Sequence, residues 1–155
     1  MGLTARDWFD RVRHAVVTLA KAERDAEEAE AATYPKGQQY GSVSHGGSGD
    51  GSGAMIRYAM ATTELDAKRA ECEAMLERAT DVLYGRSGNG GLAKRKGTAT
   101  ADCICGYYLL GMSWREVADE MVQPDSEDGR HWCMMRAHRA FDYMDRAGMD
   151  WLIDS

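Results

Sequence analysis

In the stretch Tyr107-Tyr108-Leu109-Leu110-Gly111-Met112-Ser113-Trp114-Arg115-Glu116-Val117-Ala118-Asp119-Glu120-Met121, one helical run stops and another starts at once. Gly111 is the stop, because glycine tolerates the left-handed backbone with which helices commonly end. Ser113 and Glu116 have the spacing of a capping box. The serine hydroxyl accepts from the backbone NH of Glu116, and the Glu116 carboxylate reaches back to the NH of Ser113. The short helix opened there, 114–122, carries Val117, Ala118 and Met121 on one face. Small Ala118 suits a close helix crossing.

Upstream, the residues 100–110 are helix-forming, with Ile104, Tyr107, Tyr108 and Leu110 apolar. Downstream, Pro124-Asp125-Ser126-Glu127-Asp128-Gly129 reads as a turn. A longer helix is then expected over 128–147, with Cys133, Met134, Ala137, Ala140, Phe141 and Met144 at helical spacing and Gly148 as its stop. Helix, glycine turn, short capped helix, turn and longer helix form the layout of a helix-turn-helix unit, whose last helix enters the DNA major groove. That helix carries Arg130, His131, Arg136, Arg139 and Arg146. Arginine binds phosphates and reads guanine through a bidentate contact. Arg130, His131, Arg136 and Arg139 are therefore the candidate DNA contacts.

Residues 86–97 read as a Gly/Lys/Arg linker. Lys94, Arg95 and Lys96 are the sharpest basic cluster of the chain and are candidate auxiliary phosphate contacts, although such a run is more often a solvated loop. Residues 1–85 read as a long antiparallel helical hairpin. Thr4 and Asp7 resemble a capping box, and Trp8, Val12, Ala15, Leu19, Ala22, Ala26 and Ala29 then step by four and three. A second seam over 54–84 takes Tyr58, Thr62, Leu65, Arg69, Cys72, Leu76, Ala79 and Leu83, with Arg69 as its flaw. Between the helices, the Gly/Ser-rich run 34–53 is expected to be a flexible loop. It lacks the strand before and the Gly-Lys-Ser/Thr after that a phosphate loop requires. The tail 148–155, with Trp151, Leu152 and Ile153, is expected to fold back onto the hairpin.

The chain has 155 residues, 44% of them hydrophobic and 28% charged, which excludes disorder throughout. Ala, Met, Glu, Arg and Leu are plentiful and Val, Ile, Phe and Thr are sparse, so the expected class is all-α. No apolar run approaches a membrane span, and charges interrupt the first helix too early for a secretory signal. A cytoplasmic protein with its four cysteines as free thiols is expected. Cys103-Ile104-Cys105, with Cys133, His131 and His138, matches none of the strong zinc spacings, so no metal and no cofactor are expected. Nothing in the sequence resembles a catalytic constellation, and an enzyme with a small-molecule substrate is not expected.

The quoted stretch resembles region 4 of sigma-70-type transcription factors. Arg136-Ala137-His138-Arg139-Ala140-Phe141 is similar to the end of that family's recognition helix. A helical hairpin followed by this unit resembles small phage and prophage proteins, some of them late-gene transcriptional activators. The resemblance implies a phage-type regulator that binds double-stranded DNA, with the hairpin forming a homodimer or contacting RNA polymerase. The turn 122–129 is longer and more acidic than the family's. Charge pulls against the reading: residues 1–85 hold 10 cations and 14 anions, and residues 86–146 hold 9 of each. Phosphate neutralisation supplies most nonspecific affinity. A monomer is thus expected to bind weakly, and a dimer or a polymerase complex to compensate through effective concentration. The alternatives are a small-terminase-like DNA-packaging module, or a helix-turn-helix kept only for protein contact.

Overall fold

Thr4 starts the first helix as its spacing predicts. Its Oγ1 accepts from the backbone NH of Asp7 at 3.1 Å and donates to Asp7 Oδ2 at 2.7 Å. The NH of Ala5, another donor that the helix itself leaves unsatisfied, donates to Asp145 Oδ1 at 2.7 Å. Helix α1 then runs Ala5–Thr33. The computed structural model describes residues 2–33, 47–121 and 127–155. The remaining helices are α2 (Gly47–Tyr84), α3 (Gly91–Lys96), α4 (Thr98–Ile104), α5 (Trp114–Met121), α6 (Glu127–Ala147) and α7 (Met149–Ile153). A π-helical segment, Cys105–Leu109, continues α4. The fold is all-α, with no strand among the described residues. No described helix is long and apolar enough to cross a membrane.

The chain divides into two units, Met1–Val16 with Cys72–Ser155, and Val17–Glu71. The sequence reading gives residues 1–85 entirely to a hairpin. Instead, the first turns of α1 and the last turns of α2 belong with the C-terminal helices, because their apolar side chains share one core. Phe9, Val12, Val82 and Leu83 are buried with Leu92, Ile104, Phe141, Met144 and Leu152. Phe9 lies 5.4 Å from Phe141 and 6.0 Å from Tyr108, centroid to centroid, and Tyr108 meets Phe141 edge-on at 5.3 Å. Each edge-on pair adds about 0.5–1.5 kcal/mol to the burial itself.

Residues 91–96, expected within a linker, form α3. Leu92 is the reason: a single large apolar side chain in a Gly/Lys/Arg run, it is fully buried and anchors the run to the core. Gly91 makes the approach feasible. Its φ is +64°, and an added Cβ would lie 2.5 Å from Gly85 N and 2.6 Å from Val82 O. Burial of the tail residues Leu152 and Ile153 has the same cause, and Arg86 N donates to Ile153 O at 3.1 Å.

Gly111 ends the α4 extension at φ +73°, as read from the sequence. Met112 N donates to Gly106 O and Leu110 N to Cys105 O, both at 3.0 Å. The Arg13 guanidinium donates to Tyr107 O, and to Met112 O at 2.9 Å, while lying 3.8 Å over the Tyr107 ring. Tyr107 in turn stacks on Trp114 at 4.1 Å. An arginine of α1 thus supplies carbonyl partners at this helix end. The Ser113 cap forms as expected: Glu116 N donates to Ser113 Oγ at 3.2 Å, and Ser113 N to Glu116 Oε1 at 3.4 Å. α5 packs on α6, and α4 packs on both.

In the other unit, Ala22 and Leu65 are the buried seam residues, and Leu19, Ala26, Tyr58 and Thr62 are half-buried. Arg69, the flaw in the second seam, meets Glu23 at 3.7 Å. Both side chains are about half exposed, so the pair contributes little. Helix α2 starts at Gly47 rather than at the expected 54. Adding a turn to an existing helix avoids the nucleation cost, which lets a poor helix-forming run join a strong one. The rest of the expected loop, 34–46, and most of the expected turn, 122–126, lie outside the described residues.

Candidate nucleic-acid interface

Helix α6 buries one stripe and offers the other to solvent. Cys133, Ala137, Ala140, Phe141 and Met144 face inward. The opposite stripe steps Trp132, Arg136, Arg139, Tyr143 and Arg146, alternately four and three residues apart. That spacing keeps side chains on one helix face. His131 and Met135 flank it.

Across from this stripe stand Lys96, at the end of α3, and Thr100, in α4. Together they line an open depression of about 800 Å3 with His131, Trp132, Met135, Arg136, Arg139 and Arg146. Among the described residues, no carboxylate lines it. The two aspartates late in α6 do not intervene. Asp145 accepts from the NH of Ala5, and Asp142 is exposed outside the lining.

The cations differ in how they are held. Arg136 Nη1 donates to Thr100 Oγ1 at 3.3 Å, and the guanidinium lies 3.9 Å over the Trp132 ring. Thr100 Oγ1 donates in turn to Lys96 O at 3.2 Å. Lys96 Nζ lies 4.5 Å over the Tyr143 ring. Arg139 and Arg146 are exposed. Aromatic faces favour cations electrostatically, so Trp132 and Tyr143 hold positive charge at the surface while leaving its other side to solvent.

Of the seven candidate DNA contacts, Lys96, His131, Arg136 and Arg139 come together in this depression. Arg130 is half-buried and lies outside the lining. Lys94 is exposed outside it, and Arg95 turns 4.8 Å over Trp151. Three consecutive residues on a helix point in three directions, which is why the cluster 94–96 separates. Arg146 joins the group without having been singled out as a contact. Its spacing from Arg139 and Arg136 was the available signal. Thr100 had no such signal, because its role depends on a helix 36 residues away.

The cysteines form a different environment. Cys103 and Cys133 are fully buried and their thiols hydrogen-bond to each other. Burial pushes Cys103 up to about 12 and also raises Cys105 and Cys133. Tyr84 donates to Asp102 Oδ1 at 2.6 Å, and burial pushes its phenol well above the usual range. No three metal-ligating side chains converge among the described residues. No family model, no curated protein and no solved structure matches this chain.

Proposed function

We propose that this chain is a phage-type DNA-binding transcription regulator. The exposed face of α6, with Lys96 beside it, contacts double-stranded DNA. The helices of Val17–Glu71 provide self-association or a contact to RNA polymerase. The observation that carries the reading is the convergence of Lys96, His131, Arg136, Arg139 and Arg146 on one open depression, with no carboxylate among its described lining.

The overall charge of −6 does not defeat it. Exposed charges farther apart than about 8 Å are largely screened at physiological salt, so the local face decides the phosphate contact. Four Lys/Arg side chains still form a small footprint, consistent with weak binding by one copy and with a second copy or a polymerase to strengthen it.

Selection of bound fragments from the source genome at low salt tests the proposal. Enrichment of a discrete site, with affinity falling steeply as salt rises, is the expected result. A folded sample that enriches nothing would overturn it and direct the search to protein partners.

A further inference from the structure

Thr100 is the buried polar residue of this protein among the described residues, only 6% exposed, and it lines the basic depression. A buried hydroxyl must find partners or cost stability. This one has two, Lys96 O on its own helical approach and Arg136 on α6. Among the described residues, Arg136 is therefore the lining arginine held from two directions: by Thr100 through a hydrogen bond and by Trp132 through its ring face. These two supports engage one Nη1 N–H and one face of the guanidinium. Among the described residues, no such hold is seen on Arg139 or Arg146, whose side chains are exposed.

Phosphate contact tolerates a mobile cation, because the attraction is undirected. Base recognition does not, since two parallel N–H groups must match two acceptors on the guanine edge. From this difference we infer that Arg136, oriented by Thr100 and Trp132, is the specificity-determining residue of the interface, reading a guanine edge, while Lys96, Arg139 and Arg146 bind phosphates. Thr100 is a positioning residue that touches no DNA. This assignment rests on the DNA-binding proposal above. Lysine keeps the charge of Arg136 but loses both the fork and the flat stack on Trp132.

The test uses the full chain and the fragment selected from the genome, with single base-pair variants of it and an unrelated duplex. Wild type, Arg136→Lys, Thr100→Val, Thr100→Ser and Arg139→Ala are titrated at several salt concentrations, after circular dichroism establishes that each is folded. Arg136→Lys is expected to lose discrimination at one G·C pair by roughly 5- to 150-fold, with an unchanged salt slope. Thr100→Val should lose part of the same discrimination, and Thr100→Ser, which keeps the hydroxyl, should regain it. Arg139→Ala should weaken all duplexes alike and lower the salt slope by about 0.9. If Arg136→Lys keeps the preference, or weakens every duplex equally, Arg136 is only another phosphate contact and the inference fails while DNA binding stands. Wild-type binding without any sequence preference overturns it in the same way. If wild type binds no duplex, both proposals fall together.

Discussion

Buried thiols set the behaviour of this protein at the smallest scale. Cys103 in the folded chain is raised from 9.0 to about 12, first by burial and then by its hydrogen bond with Cys133. A folded-state value above the unfolded one means that the native state holds its proton more tightly. The resulting stabilisation is fully present below pH 9 and is lost as pH rises toward 12. The stability difference between wild type and Cys103→Ser should therefore shrink across that window, as urea titrations at pH 8, 9.5 and 11 would measure. The thiolate is the reactive form of cysteine, so native protein at pH 8 should be alkylated slowly at Cys103 and Cys133 and rapidly only in denaturant. Rapid native labelling of both would contradict their burial. Gly91 gives a second residue-scale expectation. Its positive φ and the backbone atoms within 2.6 Å of an added Cβ leave no room for Gly91→Ala, which should cost about 3 kcal/mol or more. A denaturant titration checks it.

Element boundaries followed local chemistry. Thr4 with Asp7, Ser113 with Glu116, and Gly111 each act within a few residues, so each was legible in the sequence. Ser113→Ala should cost about 1 kcal/mol by removing the cap of α5. In a chain of this size that corresponds to roughly 2–4 °C in Tm, measurable by calorimetry. Other features depend on partners distant in sequence and gave no local sign. Phe9 lies one residue off the heptad seam yet is fully buried, because it packs in one core with Tyr108 and Phe141. Leu92 turned a presumed linker into α3. Arg13 serves two carbonyls 94 and 99 residues away, partners to which its own sequence neighbourhood does not point. Hydrogen bonds to charged groups contribute about 1.5–3 kcal/mol each at most. Arg13→Ala should therefore destabilise by about 2 kcal/mol, whereas the exposed neighbour Arg11 replaced by alanine should change stability by no more than about 0.5 kcal/mol.

At the scale of the whole molecule, an acidic chain carries one concentrated basic face. Four of the residues that line it, Lys96, His131, Arg136 and Arg139, are legible in the sequence, because they recur on one helix and on the adjacent basic run. The approach of Lys96 and Thr100 to that helix, and the turn of Arg95 to Trp151, have no local signal in the sequence. Those placements arise from packing of Leu92 and Ile104 against Phe141 and its neighbours, a non-local property. The measurement that tests the central claim most directly is the salt dependence of binding to the genome-selected duplex, for wild type and for Arg139→Ala with Arg146→Ala. Both side chains are exposed, so the double variant should fold normally. Wild type should show a steep linear fall of log K with log salt, and the variant a slope smaller by about 1.8. An unchanged slope, or no binding by folded wild type at low salt, would contradict the assignment of this face to DNA.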